Sequence, residues 1–537
     1  MCNRYIGITI GPIVKTLMLT TTPAGLWGAS YIFSYYTKKL IENLKQDLKI
    51  SGDSFLVPAI SKEVDEIIKD CPWAGLFHDR IIFQADELIQ LTAVSQYIEK
   101  AKEALVQEIL DSPFAEQELE IAGEYIKDYL QVQGIEKEII DKENPILALS
   151  LDLDSLELGQ SYISKEDKNY ILKFLENRNS LEERKAEDRN INIKNFTQKI
   201  NKDIKWHFLD GNRIITIDDI AGIAKEDSRA NTQTKNYFAL VKTDGDNLGK
   251  VLRAMKEENI TESIQDFSKK CFLYAKTAFD QVEAYGGKMI YAGGDDLLFI
   301  APVKNQENTV FHLLADLNDA FIKNFESFSF EDEGGKQKKM GFSAGVVLCY
   351  YKYPLQEALR ETLTQLDCSK AIAGKNTISV HFEKHSGKQR GIQFKDFFKT
   401  GEKAEVYQIF LALLNQYGGL TGQSSQSSEF LRSVGKKLQD YQKLFVLALT
   451  KDSINSLNAV VINLFAEYPN IFDEMDEDTK QPETRYIENI IELLRKVYAK
   501  NVSLKIKKTS EEIAIESLQE VETIIGLLRF YNEKEIR

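Results

Sequence analysis

The chain has 537 residues, a length that suits roughly three or four domains. Hydrophobic residues make up 43% and charged residues 28%, which describes a folded soluble protein and excludes a disordered one. The net charge of −14 argues against charge-driven binding of nucleic acid over the whole surface, while leaving room for a local basic groove or for nucleic acid held by partner subunits.

Arg4 to Ile10 reads as a buried strand, and Gly11-Pro12 starts a short helix through Leu19. Pro23 opens a second helix, apolar on more than one face, with Trp27, Tyr31, Tyr35 and Tyr36 as core or interface residues. From Tyr5 to Tyr36 the only charge is Lys15, but glycines and Thr20-Thr21-Thr22-Pro23 interrupt the run, so no membrane span is expected. Arg80 to Phe83 predicts a strand and Leu88 to Leu110 an amphipathic helix, closing a first α/β unit over 1–110. Residues 111–235 read as a mixed, charged linking domain: Glu118 to Gln133 helical, Leu147 to Leu153 alternating like a strand, and Tyr170 to Asn190 helical. The charge run Glu182 to Arg189 reads as a solvated face, and Ala221 to Thr234 as a loop.

A second α/β unit spans 236–388. Strand Tyr237 to Lys242 runs into Thr243-Asp244-Gly245-Asp246-Asn247; a helix carrying Ile264, Phe267, Cys271 and Tyr274 follows. Then come a hairpin over Lys288 to Ile300, a helix Val310 to Phe325, a charged loop Glu331 to Lys339, a strand Gly341 to Tyr350, a helix Leu355 to Ala373 and a strand Thr377 to Phe382. The order β-α-β-β-α-β with a further α and β predicts a ferredoxin-like domain with an extension. Residues 389–537 carry helical periodicity in segments 403–417, 429–450, 453–466, 483–500 and 510–532, with loops at Gly418 to Ser428 and Asp473 to Asp478, and predict a helical bundle. The fold class is α+β: two ferredoxin-like (palm) domains, a linking domain and a C-terminal helical domain.

The chemistry concentrates at the hairpin tip Gly293-Gly294-Asp295-Asp296. Two glycines let a ligand approach the backbone, and two adjacent carboxylates repel unless a cation joins them. The first strand of the unit lies beside this hairpin, so Asp244 faces Asp295 and Asp296. With Asp246 as a further ligand, such a set can hold two divalent ions, Mg²⁺ or Mn²⁺, for nucleotidyl transfer. The alternative is a pair of solvated acidic turns. Gly245, Asn247 and Gly249 begin a helix whose N–H groups can receive phosphate. Lys370 and Lys375, around the helix stop at Gly374, can reach a triphosphate or simply cap the helix. Ser343 is a candidate lining residue or a packed strand serine. Five cysteines contain no CxxC pair, so no zinc is expected, and they suit a reducing cytosol. The doublet His78-Asp79 cannot fill a coordination shell and reads as a turn before a strand.

Phe238 to Lys250, Tyr291 to Leu298, Phe342 to Val346 and Lys370 to Asn376 resemble the cyclase palm of the large subunit of type III CRISPR effector complexes, most closely the Cmr-type branch. The Gly11-Pro12 turn and Leu26 to Tyr31 resemble that family's first, degenerate palm. The resemblance implies two palms packed face to face with ATP at their interface, and a helical domain that contacts small subunits. It implies a cytoplasmic ribonucleoprotein partner set and a nucleotide second messenger made when guide and target RNA pair; the net charge of −14 leads us to expect most RNA contact from the other subunits. By the same resemblance Asp244, Asp295 and Asp296 bind metal. Two departures stand out. The first palm starts at about residue 4, which leaves no segment for the HD nuclease of many relatives, and their four-cysteine zinc site is missing. Some relatives without an HD domain resemble enzymes joining ATP to S-adenosylmethionine as co-substrate, and no residue decides between the products. The rivals are a non-catalytic RNA-binding scaffold and a GGDEF-class cyclic dinucleotide synthase, whose signature has Glu-Phe where this chain has Asp296-Leu297.

Overall fold

The computed structural model covers residues 2–532, except 72–74, 78, 112–113, 115, 160–167, 179–188, 201–205, 212, 223–235, 256, 307, 333, 373, 384–388, 395–405, 421–425, 452–453, 474–479 and 504–507. Strand β1 (Cys2–Gly11) leads into the short helix α1 (Ile13–Leu17) and the long helix α2 (Pro23–Gln46). Thr22 caps α2, accepting the Gly25 N–H at 3.1 Å, and Pro23 occupies the first turn. Then follow β2 (Phe55–Val57), α3 (Lys62–Asp70), β3 (Arg80–Ala85), α4 (Leu91–Leu110), α5 (Leu119–Tyr129) and β4 (Gln131–Ile140). The antiparallel order β2-β3-β1-β4 is that of a ferredoxin-like β-α-β-β-α-β sheet. Its last strand lies past residue 110, so this sheet takes in part of the expected linking stretch, and the helix expected over Glu118 to Gln133 stops at Tyr129.

Helices α6 (Pro145–Gly159), α7 (Tyr170–Glu176) and α8 (Ile191–Ile200) come next. The strand expected over Leu147 to Leu153 is instead helical. Asn144 Oδ1 accepts the Ile146 N–H at 3.0 Å, Pro145 suits the first turn, and Leu149 and Leu153, one helical turn apart, are buried against Gly7 of β1. Helix α7 ends where Asn177 turns left-handed, short of the expected Asn190. Most of the run Glu182 to Arg189, and all of Ala221 to Thr234 but its first two residues, lie outside the described residues. Tyr170, Phe174, Phe196, Trp206 and Phe208 join the core of the first unit and not one of their own.

A small β5–β6 pair (Leu209–Asp210 and Arg213–Ile214) and the turn α9 (Ile217–Ile220) precede the second unit. It contains β7 (Tyr237–Gly245), α10 (Leu248–Ala254), α11 (Ile260–Tyr285), β8 (Lys288–Gly293) and β9 (Asp296–Pro302). The β10–β11 pair (Lys304–Asn305 and Asn308–Thr309), α12 (Val310–Asn324), β12 (Ser329–Glu331) and β13 (Gln337–Lys339) follow. It closes with β14 (Phe342–Tyr350), α13 (Leu355–Ala371), β15 (Ile378–Glu383) and β16 (Gln389–Phe394). The charged stretch expected as a loop is thus partly the β12–β13 hairpin. The six-stranded order β16-β15-β14-β7-β9-β8 contains the ferredoxin-like set β14-β7-β9-β8, with β15 added parallel to β14. Strand β16 pairs with β15 beyond the boundary expected at 388.

Helices α11 and α12 cover one face of this sheet, packing on Ala239, Val241, Leu297 and Phe299. The other face, with Phe238, Leu240, Leu298 and Ile300, shares a core with Trp27, Ile32 and Tyr36 of α2. Helix α2 lies between the two sheets, which is why its apolar residues surround it. Among the described residues the last part of the chain forms six helices: α14 (Val406–Leu420), α15 (Gln426–Asp440), α16 (Gln442–Thr450), α17 (Ile454–Leu464), α18 (Pro482–Ser503) and α19 (Ser510–Asn532). The segment expected over 429–450 breaks at Tyr441. The bundle docks on the palm through the Tyr407 hydroxyl, which donates to the Phe311 carbonyl at 2.6 Å, and through Phe530 against Tyr237 at 4.8 Å. Among the described residues no helix is long and apolar enough to cross a membrane.

Candidate active site

Strand alternation puts Lys242 and Asp244 on one face of β7. Gly293 pairs with Asp296, so Gly294 and Asp295 form a two-residue turn between β8 and β9. Gly294 has φ +73°, a conformation open to glycine. The pairing of β7 with β9 brings this turn beside Asp244. One oxygen each from Asp244, Asp295 and Asp296 lie within 4.8 Å of one another. Gly245 makes that approach possible, because a Cβ there would stand 2.2 Å from Asp295 Oδ2.

Two lysines balance this charge. Lys370 Nζ contacts Asp244 Oδ2 at 2.5 Å and Asp246 Oδ1 at 3.1 Å, and donates to the carbonyls of Asp244 and Gly245 at 2.9 and 2.7 Å. Lys242 Nζ donates to Asp296 Oδ2 at 2.8 Å and to the Tyr291 hydroxyl. For both lysines burial opposes the charge, yet the pKa is held above its usual value: by Asp296 and Tyr291 at Lys242, and by Asp246 and Asp244 at Lys370. Burial, reinforced by Asp296 and opposed by Lys370, pushes the Asp244 carboxyl up to about 6.

Asp246 stands apart from the cluster. It is 1% exposed, and its oxygens accept the Ser343 hydroxyl at 2.9 and 3.0 Å and the Asn376 N–H at 2.7 Å. Burial raises its pKa against the pull of Lys370. Asp246 therefore braces the turn together with Ser343, which takes the packed position that was one of its two expected readings. Asn247 is the left-handed N-cap of α10 and Gly249 lies in its first turn. Lys375 sits half-exposed on the loop after α13, with φ +54°. His78 lies outside the described residues, and Asp79 is exposed just before β3.

A cleft of about 340 Å³ opens beside Asp296. Its walls come from both units: Ile13, Leu17 and Phe77 on one side, Leu359 and Leu363 of α13 on the other, with Lys242, Tyr291 and Gly293 at its base. Its size and its mix of apolar walls and few polar groups suit a small ligand. The three clustered carboxylates fit a hard divalent cation, and Asp296 Oδ1 is buried with no hydrogen-bond partner among the described residues, as a ligand atom would be. Lys242 and Tyr291 are the site residues that sequence reasoning missed. The signal available was a lysine directly after the apolar run Phe238 to Val241, within the strand.

Residues 237–379 match the family described as Cas10/Cmr2, second palm domain. The CRISPR system Cmr subunit Cmr2 of Pyrococcus furiosus is 27% identical over 174 residues, a stretch covering 28% of this chain and only 19% of that protein. A chain of the type III-B Cmr-beta complex bound to cognate target RNA aligns at TM-score 0.56 and 12% identity, over 93% of this chain and 83% of its own length. The apo state of that complex aligns at TM-score 0.55 and 12% identity, over 93% and 82%. A chain of the Csm1–Csm4 cassette in complex with cA4 aligns at TM-score 0.50 and 12% identity, over 92% and 70%. Residues 237–379 thus resemble a Cas10/Cmr2 second palm domain, in a chain whose fold is shared with chains of the type III-B Cmr-beta complex and the Csm1–Csm4 cassette.

Proposed function

We propose that this chain is a metal-dependent nucleotidyltransferase of a type III CRISPR effector complex, making a nucleotide second messenger from ATP when guide RNA pairs with target RNA. The observation that carries this is the convergence of Asp244, Asp295 and Asp296, the last of which lines a cleft walled by both ferredoxin-like units. A divalent cation held by these three would supply charge stabilisation at the attacking and leaving oxygens of phosphoryl transfer. The protein's own contribution is positioning. Lys370 lies next to Asp244, where it can meet a phosphate. The Csm1–Csm4 cassette known with cA4 supports a cyclic oligoadenylate over a conjugate of ATP with S-adenosylmethionine. The fold shared with target-bound Cmr-beta supports assembly with other subunits and RNA, and the net charge of −14 leaves most RNA contact to those partners.

The test is turnover of labelled ATP by the assembled complex with Mg²⁺ or Mn²⁺, with and without target RNA and S-adenosylmethionine, beside an Asp295→Ala/Asp296→Ala variant. Target-dependent product with the mass of a cyclic oligoadenylate, lost in the variant, is expected. No product under any condition would leave a scaffold as the better account.

A further inference from the structure

We infer that Lys242 is the positioning residue of the acidic cluster: held by Tyr291, it ties back one oxygen of Asp296 and leaves the other for the cation. This rests on the cluster being a cation site. Lys242 is 7% exposed in the middle of β7, and burying an ammonium is costly unless it is paired. The register places it between apolar or small neighbours, Leu298 on β9 and Gly345 on β14. A hydrophobic side chain of similar size would satisfy the packing there with no ammonium to desolvate. The lysine therefore answers to something other than the core.

What it meets is specific. Its ammonium donates to Asp296 Oδ2 at 2.8 Å and to the Tyr291 hydroxyl, and it lies 4.5 Å from the centre of the Tyr291 ring. Asp296 Oδ1 remains buried without a hydrogen-bond partner among the described residues. One carboxylate oxygen is thus anchored and the other is left over. Hydrogen-bonding partners of metal-binding carboxylates orient them in this way. Tyr291 is fixed in turn by the first unit. The backbone of Gly75 packs so closely on it that a Cβ there would lie 3.2 Å from Tyr291 Cβ, and the neighbouring Phe77 N–H donates to Ser34 of α2 at 3.1 Å. The orientation of Asp296 is referred through Lys242 and Tyr291 to the facing unit.

The experiment is a Mn²⁺ titration of the full chain, followed by electron paramagnetic resonance, for the parent, Lys242→Met, Tyr291→Phe and Asp296→Asn, with thermal denaturation of each. Folded Lys242→Met is expected to melt below the parent, since one partner of a largely buried pair is removed, and to bind Mn²⁺ about 10–100-fold more weakly. Tyr291→Phe keeps the ring and loses only the hydroxyl, so a smaller weakening is expected. Lys242→Met and Tyr291→Phe both within about twofold of the parent, or Lys242→Met binding more tightly, would overturn the assignment. If Lys242→Met does not fold, Tyr291→Phe decides alone, and an unchanged affinity overturns it. A parent that binds no Mn²⁺, or whose binding survives Asp296→Asn, removes the cation site itself and this assignment with it.

Discussion

Burial beside Asp296 pushes the Asp244 carboxyl up to about 6 from an ordinary value of 3.8, with Lys370 pulling the other way. A carboxyl raised in the folded state favours folding most fully below its unfolded pKa, and that contribution is lost as pH rises through about 6. In chelator, the Asp244 contribution to stability is therefore expected to fall between about pH 4 and pH 7. A divalent cation replaces the proton, so Mn²⁺ should raise the melting temperature more at about pH 7.5 than at about pH 5. Equal shifts at the two values would place Asp244 outside the cation site. Gly245 offers a second test. Its Cβ would stand 2.2 Å from Asp295 Oδ2, so Gly245→Ala should push Asp295 off the cluster. Loss of Mn²⁺ binding with the melting temperature kept is expected; binding at the parent's affinity would mean that Asp295 is dispensable. Asp244, Asp295 and Asp296 were legible because two acidic turns in neighbouring strands form a pattern. That Asp244 faces the other two followed from the strand order, but the place of Asp246 did not, since it turns to Ser343 only where the strand ends. Lys242 belongs to no local pattern at all; only the register of β7 and β8 on β9 brings it to Asp296 and Tyr291.

At the scale of elements, helix α13 carries Lys370 and the wall residues Leu359 and Leu363, so its seating on the sheet sets the site. That seating depends on Gly345 of β14. A Cβ there would lie 2.3 Å from the Thr362 carbonyl oxygen and 2.4 Å from the Leu366 nitrogen, backbone atoms that cannot rotate aside. Gly345→Ala is expected to destabilise the protein by about 1–3 kcal/mol through overpacking, and to weaken ATP binding as α13 lifts. Urea denaturation and labelled-ATP binding check the two effects; parent-like values in both would mean that another contact seats the helix. Strand β14 and helix α13 were readable from their apolar periods, as were β1, α2 and α4. Strand β4 was not, because Glu136, Lys137 and Glu138 break its alternation. They make sense only against distant partners: Glu136 with Arg4 at 3.0 Å and Lys137 with Asp152 at 2.7 Å. Helix α6 misled in the opposite sense. Its alternate leucines mimic a strand, but Leu151 and Leu158 are exposed, and the Asn144 cap with Pro145 starts a helix that buries Leu149 and Leu153.

At the scale of the whole molecule, two ferredoxin-like sheets share α2 and a single continuous core, and residues from Phe114 to Ile220 that would have formed a separate linking domain contribute to that core. The cleft beside Asp296 exists only because the units are fixed against each other: α1 and the Phe77 segment close one side, and α13 the other. If ATP occupies this cleft, either wall can block it without touching the carboxylates. Val14, at the rim on α1, and Leu363 on α13 are the two positions to fill. Tryptophan at either position intrudes on the ligand, and an overpacking cost of about 1.4 kcal/mol corresponds to about tenfold in affinity. Val14→Trp and Leu363→Trp are therefore each expected to weaken labelled-ATP binding by about tenfold, with Mn²⁺ affinity in the absence of nucleotide unchanged. Weakening by Leu363→Trp alone would mean that the palm binds nucleotide by itself and the first unit is only a support. Weakening of ATP and of Mn²⁺ together would mean that the substitutions had disturbed the sheet. Equal loss of ATP from both walls with the cation site intact is the result that makes the nucleotide site a joint product of the two units.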